Sequence, residues 1–180
     1  MHERDADTEA TDAEPGIAEA GRDTRRTPGE ERTPGSGPDR PNRDAGSRTR
    51  DALAAWLARY DSLVEVGIGR RPDVAGALAA AGKQVTATDV RDVPVPDGVR
   101  FVRDDVVAAA RRTDPGPVYR AEAIYALHLP PELHRPTRAV ARTVGADLLF
   151  TTLGGDAPEV PVERETVGRA TLFVARAGGP

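Results

Sequence analysis

The sequence predicts an α/β domain whose sheet is mainly parallel and ends in an antiparallel hairpin. Three observations carry this expectation. Five short apolar segments recur between Leu63 and Thr152, separated by helical or turn segments. Near-continuously apolar strands spaced in this way belong to parallel sheets covered on both faces. The first segment, Leu63-Val64-Glu65-Val66, runs into Gly67-Ile68-Gly69, and the second ends on Asp89, twenty residues after Gly69. A strand, a glycine turn, a helix and a second strand ending on a carboxylate form a nucleoside-binding arrangement. Finally, residues 162–166 and 170–175, joined through Val167-Gly168-Arg169, alternate as the two strands of a hairpin.

Each element has a local reason. Ser47 is a suitable N-cap for a helix over 48–60, with Leu53, Trp56, Leu57 and Tyr60 on one face. Asp61-Ser62 turns the chain into strand one, 63–66. Pro72 suits the first turn of the next helix, where its missing N–H costs nothing, and Gly82 ends it. Strand two covers 84–88. Pro94, Pro96 and Asp97-Gly98 make 91–98 a loop before strand three at 99–102. A short helix is expected over 105–111, and Asp114-Pro115-Gly116-Pro117 breaks it. Strand four spans 121–127. Pro130-Pro131-Glu132 opens a helix that kinks at Pro136 and ends near Val144 with Gly145 as its cap. Strand five spans 147–152, and the loop that follows leaves no room for a helix.

Composition divides the 180 residues near Ser47. Residues 1–46 hold no large apolar side chain except Met1 and Ile17. Such a segment cannot bury enough surface to offset its ordering entropy, so a disordered polar tail is expected, followed by one domain over 47–180. The tail's charges alternate in sign, which argues against a basic nucleic-acid arm. The absence of cysteine excludes disulfides, thiolate metal sites and cysteine nucleophiles. No secretory signal and no apolar run of membrane-spanning length is seen, so a cytoplasmic protein without a membrane partner is expected. The net charge of −4 implies neither a strongly acidic nor a strongly basic partner.

The candidate site lies at the carboxyl ends of the strands, where open α/β sheets bind ligands. Gly67 and Gly69 let the backbone approach a cofactor. Glu65 is a carboxylate in an apolar strand and needs a partner, such as a bound ammonium or loop N–H groups. Asp89 is placed to accept two ribose hydroxyls, with Asp92 as its substitute. Asp104 is a candidate acceptor for an adenine amino group, and Asp105 for a helix cap. A dinucleotide fingerprint calls for glycine at position 72, where this chain has Pro72. S-adenosylmethionine has no phosphate and presents a ribose, an adenine, an amino group and a carboxylate. Glu65, the glycine turn and Asp89 match those groups better than they match NAD. His128, after strand four, is the foremost general-base candidate, with Glu132 as a second proton acceptor. The three histidines are scattered, and no metal site is expected.

Glu65-Val66-Gly67-Ile68-Gly69 with Asp89 resembles motifs I and II of class I S-adenosylmethionine-dependent methyltransferases. The wider pattern, 65–73, Asp89 and Ile124-Tyr125 through Pro130-Pro131-Glu132-Leu133, resembles a small uncharacterised archaeal family of Rossmann-like proteins over 48–175. The resemblance implies a single Rossmann-like, methyltransferase-like domain. Arg71 stands where motif I usually has its third glycine. Leu129-Pro130-Pro131-Glu132 is not the Asn/Asp-Pro-Pro-aromatic signature of amino methyltransferases. Three expectations follow. The first is an S-adenosylmethionine-binding protein acting as a methyltransferase on an unknown small-molecule or macromolecular acceptor. The second is a non-catalytic Rossmann module working through a protein or RNA partner, motivated by Arg70, Arg71, Arg111, Arg112, Arg135, Arg138 and Arg142. The third is an NAD(P)-linked enzyme with Arg70 or Arg71 on phosphate.

Overall fold

The computed structural model describes residues 40–179, with side chains from Ala45 onward. Helix α1 (Arg40–Leu57) leads into β1 (Ser62–Val66), α2 (Asp73–Ala80), β2 (Gln84–Asp89) and β3 (Val99–Arg103). A four-residue helix α3 (Val106–Ala109) and a 3-10 turn (Pro117–Tyr119) precede β4 (Ala123–Ala126), α4 (Pro131–Val144) and β5 (Asp147–Phe150). The hairpin of β6 (Glu163–Val167) and β7 (Ala170–Ala175) completes the order. Together they form one seven-stranded sheet, β3-β2-β1-β4-β5-β7-β6. The first five strands are parallel, and β7 enters antiparallel between β5 and β6. This is the mixed α/β, Rossmann-like sheet that the alternation of apolar segments and the terminal hairpin predict.

Every residue of β4 is buried because the sheet is covered on both faces. On one face α1, α2 and the 91–98 segment enclose Leu57, Leu63, Leu78, Tyr125, Leu149 and Leu172. On the other, α3 and α4 enclose Val64, Ile124, Val140, Leu148, Phe150 and Phe173. No helix joins β2 to β3. The intervening segment lies directly against α2 instead, with Val93 and Val95 against the core. Gly76 permits that approach: a Cβ there would come within 3.1 Å of Pro96 Cγ.

Several boundaries differ from expectation. Ser47 is not an N-cap, because α1 begins at Arg40 and Ser47 lies inside it. Pro41 is compatible with a first turn, and the added residues lack the apolar face that periodicity detects. The expected tail falls, over residues 1–39, outside the described residues; Arg40 to Gly46 are helical. α3 has four residues, with Asp105 as its cap, accepting from the Val107 N–H at 2.8 Å. α4 runs as one helix past Pro136, which stands early enough that only the Glu132 carbonyl loses its donor. The hairpin turn is Gly168-Arg169, with Gly168 at φ 62°. No helix among the described residues is long and apolar enough to cross a membrane.

One polar cluster ties the exit of α1 to the foot of β5 and the exit of β7. Asp147, at the foot of β5, accepts from Tyr60 Oη (2.8 Å), Arg176 (2.9 Å) and the Ala177 N–H (2.7 Å). Partial burial works against its charge, but the Ala177 N–H, Tyr60 and Arg176 outweigh it and hold the carboxyl below the usual aspartate range. Asp147→Ala leaves three donors without their acceptor and is expected to lower the unfolding free energy by about 1–3 kcal/mol in urea titrations. Asp61→Ala, which removes only an exposed ion pair with Lys83, is expected to leave the midpoint unchanged.

Candidate functional site

At the carboxyl end of β1 the chain turns sharply over β2. The Gly67 N–H donates to the Thr88 carbonyl at 2.8 Å, and the Gly69 N–H donates to Asp89 Oδ2 at 3.0 Å. Gly67 has φ 72°, a conformation that costs a side-chain-bearing residue free energy. A Cβ built on it meets nothing within 4 Å, so the backbone here faces open space. Asp89 uses its other oxygen on the Arg91 N–H at 3.1 Å. Each carboxylate oxygen accepts more than one hydrogen bond, so Asp89 keeps acceptor capacity towards a ligand. Val90, directly after it, is 55% exposed, an unusual exposure for valine beside a strand end.

Beyond the carboxyl ends of β1, β4 and β5 lies a cleft of about 920 Å³. Glu65 forms part of its lining although the residue is only 2% exposed. The parallel register sets Glu65 opposite Tyr125 of β4, and Tyr125 Oη donates to Glu65 Oε2 at 2.8 Å. The expected partner was an ammonium or loop N–H groups; within the chain it is a phenol. Oε1 has no hydrogen-bond partner among the described residues. Burial pushes the carboxyl up to about 7, and the Tyr125 hydrogen bond only partly opposes this. Burial, together with the neighbouring Glu65, keeps Tyr125 protonated.

His128 also lines the cleft. It is the only non-glycine residue at positive φ (58°) among the described residues. The cause is local: Thr151 takes two successive N–H groups, His128's on its hydroxyl (2.8 Å) and Leu129's on its carbonyl (2.8 Å). The His128 side chain at this turn is exposed. Backbone strain of this kind costs roughly 1–2 kcal/mol and concentrates at functional sites.

The other candidates lie elsewhere. Glu132 sits in the first turn of α4 beside Pro131, Arg135 and Glu159, outside the cleft, so the structure does not bring it to His128. Asp104 accepts from Arg112 at 3.0 Å and from the Asp105 N–H at 2.9 Å, and does not line the cleft. Asp92 pairs with Arg103 at the surface. His134, on α4, is fully buried: the Glu159 N–H donates to Nδ1, and Nε2–H faces the Leu129 carbonyl at 3.1 Å. Both contacts require the neutral ring, which pins the 152–160 loop to α4. Of the arginines that motivated a macromolecular partner, only Arg70 and Arg71 reach the cleft. Arg112 and Arg135 are in ion pairs, and Arg138 donates to the Arg176 carbonyl at 3.0 Å. The segment after strand five, Thr151 to Asp156, which by sequence could line the site or merely turn the chain, lines the cleft; sequence reasoning did not single out Arg50, Arg164 or Arg169 for it. Arg164 and Arg169 come from the hairpin, more than ninety residues from the glycine turn, and no spacing rule links them.

Two measurements check this geometry. Because Glu65 holds its proton more tightly folded than unfolded, its own contribution to stability is fully present below about 4.5 and is lost as pH rises through about 7. Urea unfolding across that interval is expected to show this slope in the wild type and not in Glu65→Gln. His128→Gly removes the positive-φ strain, and its unfolding free energy is expected to equal that of the wild type or exceed it by up to about 1 kcal/mol.

Comparison with known proteins places these features in a family. The model of an uncharacterised protein family, UPF0146, matches residues 50–177. A UPF0146 protein of Halobacterium salinarum is 56% identical over 126 residues, covering 69% of this chain and 94% of that protein. One from Archaeoglobus fulgidus is 44% identical over 100 residues, covering 56% of this chain and 74% of the relative. Similar solved structures include the magnesium protoporphyrin IX methyltransferase of Synechocystis with bound S-adenosylmethionine. Its identity is 15% and its TM-score 0.48, covering 79% of this chain and 86% of that one. An RNA methyltransferase of Salinibacter ruber in complex with S-adenosylhomocysteine is 17% identical at TM-score 0.46, covering 69% and 87%. A family match running from the middle of α1 to the exit of β7, with an archaeal relative identical at more than half of the aligned positions, makes this chain a member of the uncharacterised protein family UPF0146.

Proposed function

We propose that this protein binds S-adenosylmethionine across the tip of β1 and transfers its methyl group to an acceptor held in the cleft. The observation that carries the reading is Glu65: a buried carboxyl, satisfied on one oxygen by Tyr125, beside an exposed glycine turn. A carboxylate buried with one oxygen unused favours a cationic ligand group, because pairing offsets its desolvation. The ligand's amino group meets that need on the cleft side. Gly67 gives the sulfonium region room against the backbone. On the far side of the turn Asp89 receives the ribose hydroxyls, and exposed Val90 offers an apolar surface to the adenine. Asp104 Oδ2, 3.5 Å from an Arg112 nitrogen, is the acceptor assigned to the adenine amino group in this reading.

When bound, S-adenosylmethionine supplies an electrophilic methyl group. The chain's part is to hold an acceptor in line with it and to keep water away, and proximity of this kind accounts for most of the acceleration. His128, at the cleft mouth, accepts the acceptor's proton at an imidazole nitrogen. Glu132 lies outside the cleft and has no part in this mechanism.

Thermal unfolding of the full chain with S-adenosylmethionine, S-adenosylhomocysteine, NAD or NADP tests the proposal. An adenosyl ligand at a hundred times its dissociation constant is expected to add about 2.7 kcal/mol, a shift of several degrees. Asp89→Asn, which keeps an acceptor for the Gly69 N–H, is expected to weaken that protection about tenfold or more. Protection by NAD or NADP alone would sink the reading. Protection by S-adenosylhomocysteine without methyl transfer to any acceptor would leave a binding module in place of an enzyme.

A further inference from the structure

Glu65 is a buried carboxyl that no cation of the chain accompanies. Strand alternation puts it on the face of Leu63, the side covered by α1 and α2. Its neighbours across the register are Ala87 of β2 and Tyr125 of β4. From α1, Arg50 reaches the same cleft, and its carboxylate contact is Asp73 at 3.8 Å. Arg70 and Arg71 come from the glycine turn, and His128 from the exit of β4. Asp156 comes from the loop after β5, and Arg164 and Arg169 from the hairpin. Among the described residues none of these groups pairs with Glu65, whose side chain has one hydrogen-bond partner, Tyr125 Oη at 2.8 Å.

The two carboxyl oxygens differ. Oε2 accepts from Tyr125, and Oε1 has no partner among the described residues. Tyr119 Oη is the only fully enclosed side-chain polar atom without a partner among those residues, so Oε1 is not sealed in and opens on the cleft. An ionised carboxyl here has neither a water shell nor a cation beside it, and the neutral acid is lower in free energy. Burial accordingly pushes the group up to about 7, against the smaller pull of Tyr125. Tyr125 does not take up the charge instead, since burial and Glu65 hold its proton in place. With Oε2 accepting from the phenol, the acid proton stands on Oε1, the oxygen to which a ligand ammonium donates.

We propose that cofactor binding at Glu65 is an exchange of cations: the carboxyl is protonated in the free protein and gives that proton up when the ligand's ammonium group reaches Oε1. The proton leaves Oε1 for solvent through the open cleft, and Tyr125 keeps its own. Placing the ammonium at Glu65 rests on the cofactor reading above; the exchange goes beyond it. Proton and ammonium compete for one oxygen, so affinity falls as pH drops below about 7. An adenosyl ligand without an ammonium escapes that competition.

Titration calorimetry on the full chain, in two buffers of different ionisation enthalpy, counts the protons exchanged on binding. The probes are S-adenosylhomocysteine and methylthioadenosine, which lacks the amino and carboxylate groups, each at about pH 6 and about pH 8. S-adenosylhomocysteine is expected to release close to one proton at the lower pH and almost none at the higher, where its affinity is about tenfold greater. Methylthioadenosine is expected to show neither effect. Glu65→Gln is expected to abolish both for S-adenosylhomocysteine. Tyr125→Phe removes the hydrogen bond that favours the charged form and is expected to carry the release up to about pH 8. S-adenosylhomocysteine binding without proton release at the lower pH overturns the exchange and leaves the cofactor reading standing. Release that persists in Glu65→Gln and disappears in His128→Asn assigns the proton to the imidazole and overturns it too. Should Glu65→Gln fail to fold, release that stays at the same pH in Tyr125→Phe has that meaning. No binding of S-adenosylhomocysteine at either pH overturns the cofactor reading and the exchange together.

Discussion

The tip of β1 is held in place by β2, and the candidate site depends on that attachment. The Thr88 carbonyl takes the Gly67 N–H and the Asp89 carboxylate takes the Gly69 N–H, so the turn cannot move without the second strand. The same parallel register carries Glu65 to the level of Tyr125 in β4. Three neighbouring strands therefore fix an open glycine backbone, the Asp89 carboxylate and a buried carboxyl in one frame. An isolated strand and turn of this composition would have no reason to hold them so.

Glu65 is the costly member of that frame. Its burial raises the free energy of the charged form, and the Tyr125 phenol returns part of it through a hydrogen bond that stays protonated. The remaining deficit is a standing preference for a cationic group in the cleft. His128 shows the same trade-off in the backbone, held at positive φ by two hydrogen bonds to Thr151. Both sit at the carboxyl end of the sheet. At the other end of β5 the half-buried Asp147 is satisfied by Tyr60, Arg176 and Ala177, as a structural acid should be.

Arg112 after α3 and Arg135 on α4 pair with Asp104 and Glu159, and Arg138 on α4 donates to the Arg176 carbonyl at the end of β7. In the cleft lining Arg164 lies over the Phe173 ring and Arg50 reaches Asp73 at 3.8 Å. The hairpin that closes the sheet is thus also one wall of the site. With no helix between β5 and β6, the loop after β5 lines the cleft as well, through Thr152, Gly154 and Asp156.

The sequence by itself determined the strands, the hairpin, the glycine turn with Asp89 twenty residues on, and Asp105 as a cap. Each is written in local patterning: apolar runs, turn residues, or a spacing within one strand–helix–strand unit. The extension of α1 to Arg40 was not legible, since its first turns carry no apolar stripe. Only the tertiary structure decided which residues share a surface. It paired Glu65 with Tyr125 across sixty residues, placed Arg164 and Arg169 in the lining of the same cleft as Gly67, buried His134 under a loop, and left Glu132 outside the cleft. Those outcomes follow from strand order and register, which bring distant segments together once both faces of the sheet are buried. No short-range pattern encodes them.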